Sequence, residues 1–434
     1  MKHSPSEPGR RYPLLETYRK EISLCVKCGS CSAVCPSYLH ERDESFSARG
    51  RMTLVKAVLD GRLKFSGIFK DRLATCTTCL ACETSCPSNV PVTEIIKAAQ
   101  EQAIADSGMG MINNLIAALV KQPALFRAAK WLAPAVLHYS RKGPGAGVQG
   151  PVDSRGRRDR SKFDVQRSKE TGRRGRLVFF PGCAVEHFRP DIGKAAIGVL
   201  NTIGYDVIVP EGLKCCGRPL LSLGDRRGAE ELAAYNAALF EALEVDTIVT
   251  ACASCGLTFK KEYPRLLRPG VKTPVVLDIH EFLSGRIAGI NLHPVCKSVT
   301  IHDPCHLGRG QGLSRTMRDL LQAIPGISLV EMKDPDRCCG FGGVMRITHR
   351  ALSDGIAADK VNNIVATRAA VVATGCPGCC MQIADALRRH GSDIGVVHPV
   401  QLLEEAFRGA ELEPTGPRVK GPGGREITNE KGRS

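Results

Sequence analysis

The first residues, Met1-Lys2-His3-Ser4-Pro5-Ser6-Glu7-Pro8, contain no apolar h-region, so export through a signal peptide is not expected. No stretch reaches the roughly 18–20 apolar residues needed to span a bilayer. Met111–Val120 and Ala124–Leu137 come nearest, but Lys121, Pro123, Arg127 and Lys130 interrupt them. They read as helices packed on the protein's own domains, or as amphipathic helices lying on a membrane or partner. Trp131 is the one tryptophan, and core packing and interfacial anchoring both suit it. No G-x-G-x-x-G follows a strand at a βαβ start, so no flavin is expected on this chain. No nucleic-acid motif accompanies its basic charge, so nucleic acid is not an expected partner.

What the chain has in excess is cysteine: twenty in 434 residues. Without an export signal the expected compartment is the cytoplasm, where such cysteines are metal ligands or redox groups. A hydrophobic content of 43% allows buried cores, and the length suggests roughly two to four domains. The net charge is +16. Half of it lies between Arg141 and Arg176, where twelve Lys/Arg face four Asp/Glu. This tract has few large apolar residues and reads as a solvated linker, with an acidic partner or membrane surface as the other reading.

Two runs carry the most specific signal. Cys25-Val26-Lys27-Cys28-Gly29-Ser30-Cys31-Ser32-Ala33-Val34-Cys35-Pro36 and Cys76-Thr77-Thr78-Cys79-Leu80-Ala81-Cys82-Glu83-Thr84-Ser85-Cys86-Pro87 both match the C-x₂-C-x₂-C-x₃-C-P ferredoxin pattern. Three close thiolates wrap three corners of a [4Fe–4S] cube. The fourth cysteine, followed by proline, starts a helix leading away, and in two-cluster ferredoxins it serves the other cluster. Cys25, Cys28, Cys31 and Cys86 are therefore expected at one [4Fe–4S] cluster, and Cys76, Cys79, Cys82 and Cys35 at the second. Zinc suits these runs poorly, because it usually takes two pairs of close ligands. Helices are expected at Met52–Leu59 and Val92–Ala105. Arg49-Gly50-Arg51 either neutralises cluster charge, contacts a partner or forms a solvated turn.

The C-terminal half repeats itself. Strand Arg176–Phe180 ends at Cys183, and a helix at Asp191–Ile203 leads to strand Asp206–Val209 and Cys215-Cys216-Gly217. Helix Gly228–Leu243 then leads to strand Thr247–Thr250, ending at Cys252 and Cys255. Strand Val299–Ile301 next ends at His302-Asp303-Pro304-Cys305. Helix Ser314–Ile324 and strand Ser328–Glu331 lead to Cys338-Cys339-Gly340-Phe341-Gly342-Gly343. Helix Arg350–Ala366 and strand Ala370–Ala373 end at Cys376 and Cys379. Offsets of 122, 123 and 124 between matching cysteines mark an internal duplication. Alternating strands and helices imply α/β layers with the thiols on loops at strand ends, where such sheets bind ligands. Each copy offers five thiolates as metal ligands: Cys183, Cys215, Cys216, Cys252 and Cys255, then Cys305, Cys338, Cys339, Cys376 and Cys379. Cys296 and Cys380 are left over as packing residues or bystanders. His302 and His306 either relay protons or shape the loop by hydrogen bonding.

This pattern resembles the cysteine-rich CCG domain. That domain occurs in heterodisulfide reductases, in the electron-transfer subunit of anaerobic glycerol-3-phosphate dehydrogenase, in lactate-utilisation proteins and in the glycolate oxidase iron–sulfur subunit. Two ferredoxin runs followed by two CCG repeats most resemble the last of these and its relatives, over nearly all of residues 20–410. Ala48-Arg49-Gly50-Arg51-Met52, the second ferredoxin run through Ser88, and the Cys338–Gly343 stretch resemble its glycolate/D-lactate branch.

The resemblance implies an α+β multidomain fold: a helical two-cluster ferredoxin domain followed by two duplicated α/β CCG domains. The expected boundaries are 1–105 for the ferredoxin domain and 106–176 for a helical connector and basic linker. The CCG domains take 177–290 and 291–410, and 411–434 is a polar disordered tail. The implied function is electron transfer within a flavin-dependent glycolate or D-lactate dehydrogenase. An FAD-containing partner subunit performs the hydride chemistry, and a quinone or other membrane acceptor takes the electrons at the inner face of the cell membrane. Two [4Fe–4S] clusters are implied, with one or two further iron–sulfur clusters, or zinc, in the CCG repeats. Because both repeats keep all five cysteines, a heterodisulfide-reductase-type thiol/disulfide chemistry is the alternative. The electron-transfer role in anaerobic glycerol-3-phosphate dehydrogenase is another.

Overall fold

The computed structural model describes residues 12–122 and 174–409. The expected helix Ala124–Leu137, Trp131, the basic tract up to residue 173 and the 411–434 tail lie outside the described residues.

Residues 12–122 contain helices and no strand. Ser47 caps the helix Ala48–Leu59 by accepting a hydrogen bond from Gly50 N, which satisfies one orphan donor of the first turn. Its buried Met52, Val55, Val58 and Leu59 recur at helical spacing and meet Ile95, Ile96 and Ala99 of the helix Val92–Ser107. Leu15, Ile22, Phe69 and Leu73 close this core. Cys35 stands at the N-cap of helix Pro36–Glu41, where proline fits because its missing N–H is an orphan in any case. Cys86-Pro87 starts no helix; a turn through Asn89 intervenes before Val92.

The duplicated half contains two four-stranded sheets. The first is built from β1 (Gly175–Phe179), β2 (Tyr205–Ile208), β3 (Thr247–Thr250) and β4 (Val275–Asp278). The second is built from β5 (Lys297–Ile301), β6 (Ile327–Leu329), β7 (Val371–Ala373) and β8 (Gly395–Val397). The orders are β2-β1-β3-β4 and β6-β5-β7-β8, with every pairing parallel. Identical topology is the structural counterpart of the sequence duplication. Strands β4 and β8 have no counterpart in the sequence reading.

Successive side chains of a strand point to opposite faces, and β1 divides its residues accordingly. Leu177 and Phe179 enter one core, Val178 and Phe180 another. The first of these cores also holds Val299, Ile301, Val372 and Leu403, so the two repeats share it. Helix Pro190–Thr202 packs against helix Pro399–Arg408 across this junction. The second core holds Phe240, Phe259 and Tyr263, and it receives the inner face of helix Met111–Lys121 through Ala117, Ile116 and Val120. That contact with the protein's own domain is one of the two roles expected for the segment. The outer face leaves Met111, Ile112 and Leu115 exposed.

Candidate metal centres

The two ferredoxin loops have the same backbone. Lys27 and Thr78 occupy one matching position with φ of 58° and 50°, Gly29 and Leu80 another with 88° and 64°. A β-branched residue at positive φ is an outlier, and such strain persists where surrounding structure enforces it. Cys25, Cys31, Cys76, Cys82 and Cys86 lie against one helical core. Cys79, Cys82 and Cys35 are buried and Cys28 is exposed. Burial pushes the Cys76 thiol up to about 11, with Arg51 opposing, and Cys35 is among the neighbouring thiols acting on both Cys76 and Cys82. Cys35 acts on Cys31 of the first run as well, so it stands between the two runs.

Arg51 supports an anionic occupant there. It is 1% exposed and pairs with no carboxylate among the described residues. Nε donates to Arg72 O at 2.7 Å and Nη2 to Thr75 Oγ1 at 2.8 Å, while Nη1 sits 4.0 Å from Cys35 Sγ. An uncompensated buried cation is costly. A cluster ligated by four thiolates is an anion, so the residues present fit one. Arg49, by contrast, pairs with Glu44 at 2.7 Å near the surface.

The ten repeat thiols gather at the carboxyl ends of the sheets, around the β1/β3 and β5/β7 boundaries where strand order reverses. Cys252 and Cys376 are the N-cap residues of the helices that follow β3 and β7. Cys183 and Cys215 sulfurs are 3.6 Å apart, and those of Cys339 and Cys379 3.4 Å. Hydrogen bonding with the Cys338 and Cys379 thiols holds Cys339 well below the usual thiol range, which favours the metal-binding thiolate. Gly217 and Gly340 follow the cysteine pairs with φ of 91° and 84°. A Cβ on Gly340 would stand 2.5 Å from Ser353 O of the following helix. Only glycine supplies both the left-handed turn and this approach.

The two five-thiol sets are contiguous, because the thiols of Cys252 in the first repeat and Cys376 in the second lie beside each other. The second ferredoxin loop joins them. Cys79 packs with Cys338 and Cys305 in one small buried cluster.

Histidines separate the repeats chemically. His302 Nδ1 donates to Pro335 O at 3.1 Å, leaving Nε2 as the lone-pair atom. Nε2 is buried without a partner, and a ring nitrogen of His302 lies within 4.8 Å of Cys339 and Cys379 sulfurs. Phe180 takes the corresponding place in the first repeat. Burial pushes His302 and His306 down to about 3, so both rings are neutral. His306 ties three parts of the chain together: Nδ1 meets Ser254 Oγ at 2.9 Å, and Nε2 meets Thr78 O and Arg218 Nη2, each at 3.2 Å. The loop-shaping role is the one this geometry displays.

Sequence reading missed two groups of polar residues. Arg218 donates to Glu262 Oε1 at 3.1 Å and to Thr78 Oγ1 at 2.9 Å, and Lys97 reaches the same Glu262 oxygen at 2.6 Å. Glu262 closes a π-helical segment, Thr258–Glu262, a conformation that recurs at functional sites. Asp278 and His280 are buried and bonded at 2.5 Å, and His280 stacks on buried His398 at 5.0 Å. Asp278 and His398 are matching N-caps, each in a capping box. Their common place after the last strand of a repeat was the available signal, and it was invisible while β4 and β8 were unread. Cys380 is buried and donates to Thr374 O at 3.5 Å, while Cys296 is exposed.

Comparison with known proteins identifies this arrangement. A cysteine-rich domain family, CCG, matches residues 177–260 and 299–384, and a 4Fe-4S dicluster domain matches 21–90. One subunit of the CoM/CoB fumarate reductase of Methanothermobacter marburgensis is 32% identical over 394 residues, covering 89% of this chain and 73% of that one. The probable glycolate oxidase iron–sulfur subunit of Bacillus subtilis is 29% identical, covering 89% and 94%. One subunit of the dihydromethanophenazine:CoB–CoM heterodisulfide reductase of Methanosarcina barkeri is also 29% identical, covering 89% and 94%. The chain belongs to the glycolate oxidase iron–sulfur subunit family, which is related to heterodisulfide reductase. As a member of the glycolate oxidase iron–sulfur subunit family it is an electron-transfer subunit holding multiple iron–sulfur clusters, part of an oxidoreductase with a partner subunit. No single helix among the described residues is long and apolar enough to cross a membrane.

Proposed function

We propose that this chain relays electrons from an FAD-containing subunit that oxidises a D-2-hydroxy acid, glycolate or D-lactate, to a quinone or other membrane acceptor. Cys25, Cys28, Cys31 and Cys86 hold one [4Fe–4S] cluster in this reading; Cys76, Cys79, Cys82 and Cys35 hold the second. The repeat cysteines hold one or two further clusters. A [4Fe–4S] cluster supplies one-electron transfer, its potential set by net charge, hydrogen bonds and solvent exposure. This chain's residues set those terms. Arg51 places a positive charge at the second site, and burial excludes water from Cys79, Cys82 and Cys338.

The observation that carries the relay is the contact of Cys79 with Cys338, which leads from the ferredoxin half directly into the second repeat. The first repeat follows through Cys376 and Cys252. The 2-hydroxy-acid donor rests on the glycolate oxidase relative. Exposed Met111, Ile112 and Leu115 favour a peripheral position at the inner face of the cell membrane. The experiment is dye reduction by the chain together with its flavoprotein, driven by glycolate or D-lactate. The pair should reduce the dye and neither component alone; no turnover with any 2-hydroxy acid would remove this reading. Anaerobic iron and sulfide content accompanies it, since about eight irons per chain means two cubanes only.

A second reading is thiol/disulfide chemistry at the repeats. The proximity of Cys252 to Cys376 favours it, because it brings the thiols of the two repeats next to each other, and the heterodisulfide reductase relatives lend it precedent. Adding a thiol should then perturb an EPR signal that Cys339→Ser abolishes. An unaltered spectrum would exclude it.

A further inference from the structure

A cavity of about 380 Å³ opens where the ferredoxin half and both repeats meet, and Cys76 forms part of its wall. Its size and its position between domains suit a small organic ligand. The lining combines apolar Leu73, Met109 and Met345 with polar Lys70, Ser107 and His349. On the ferredoxin side Lys70 Nζ donates to Ser107 Oγ. On the second-repeat side His349 is held by Asp71 at 2.8 Å. The wall also includes Gly342, from the tail of the Cys338–Gly343 stretch. With φ at 53°, a Cβ there would press on Met345 Cβ and Cε at 3.0 Å. Beside the mouth, the turn Gly108–Gly110 leads into Met111 and Ile112, which are 88% and 66% exposed.

We propose that this cavity binds the head group of a quinone, a lipid-borne two-electron acceptor, next to the second ferredoxin centre. The proposal rests on the relay reading above and gives its acceptor a place. A dione matches a partly apolar cavity with the Lys70 ammonium on one side as hydrogen-bond donor and the His349–Asp71 pair on the other, and an isoprenoid tail matches the exposed apolar residues Met111 and Ile112. A protein acceptor cannot enter this volume. Reduction converts both carbonyl oxygens to hydroxyls, using two electrons and two protons. The electrons come from the 2-hydroxy acid by way of the partner's reduced flavin and arrive singly at the Cys76 wall. The protons come from solvent by way of Lys70 and the His349–Asp71 pair, whose Asp71 side chain is 45% exposed.

The test uses the full chain with its clusters in place, oxidised, titrated calorimetrically with decyl-benzoquinone. Ser107→Trp, at an exposed position, obstructs the cavity, and Ala103→Phe fills it from the helix. Wild type should bind one equivalent saturably, and each variant at least tenfold more weakly with iron content unaltered. No saturable binding by wild type, or equal affinity in a variant that retains its iron, overturns the proposal. Binding that behaves as expected while no 2-hydroxy acid drives dye reduction leaves the site standing and removes the relay reading. Dye reduction without quinone binding removes the site alone.

Discussion

Cys79 and Cys338 pack against each other in a buried contact, although one belongs to a ferredoxin loop and the other to a repeat of different fold. Two cysteine motifs are thereby joined through their own thiol residues and not through an intervening layer of protein. Cys338→Ser should leave the two ferredoxin-type EPR signals in place and abolish reduction of any centre in the second repeat. Stepwise anaerobic reduction followed by EPR reads both. Full reduction of the second repeat in the variant would refute the route.

Arg51 is the buried charge beside the second ferredoxin site. Adding an electron makes that site more negative, so removing the cation should lower its midpoint potential. Discounted for relaxation, the loss is about 1–2 kcal/mol, or roughly 40–90 mV for one electron. Arg51→Gln should show this shift in an EPR-monitored redox titration, and Arg51→Lys a smaller one. An unchanged midpoint in Arg51→Gln would mean the charge does not act on the site.

Glu262 neutralises two cations that arrive from different parts of the chain. Burial pushes its carboxyl up, but Lys97 and Arg218 outweigh this and hold it below its ordinary value of 4.5. A depressed carboxylate contributes stability above its unfolded pKa and loses it as pH falls through the folded one. Docking of the ferredoxin half should therefore weaken as the medium is acidified below about pH 4.5. Glu262→Gln should cost about 3–5 kcal/mol, because buried Arg218 is left without a carboxylate, whereas Lys97 keeps Glu94 at 2.7 Å. Thermal unfolding checks this, and in the variant the acid-dependent portion should disappear.

Gly340→Ala should be more damaging than Gly217→Ala. Both positions have positive φ, which costs about 1–3 kcal/mol for an ordinary side chain held there. The new methyl at 340 would in addition meet Ser353 O at 2.5 Å, whereas at 217 its nearest neighbour is 3.4 Å away. Iron content and midpoint temperature, compared between the variants, decide the order. Equal losses would show that backbone conformation alone matters.

Much of the architecture was readable because it depends on local signals. Cysteine spacing within a loop dictates which thiols can wrap one centre. The near-constant offset between Cys183 and Cys305, Cys215 and Cys338, and Cys252 and Cys376 revealed the duplication before any strand was seen. Strands β4 and β8 escaped because each follows the last cysteine landmark of its repeat, so no thiol spacing marks where it ends. With them went Asp278, His280 and His398, whose meaning depends on the turn that follows each strand.

Sequence by itself determined the thiol chemistry available to this protein: which cysteines group within each loop, and that one α/β unit occurs twice. Those properties reside in short-range spacing, which the covalent chain imposes. Tertiary structure alone decided how the groups are connected. The meeting of Cys79 with Cys338 and of Cys252 with Cys376, the burial of Arg51 with no carboxylate partner among the described residues, and the cavity beside Cys76 all arise from packing between segments far apart in the chain. Contacts of that kind depend on the shapes of whole cores, and no local pattern encodes them.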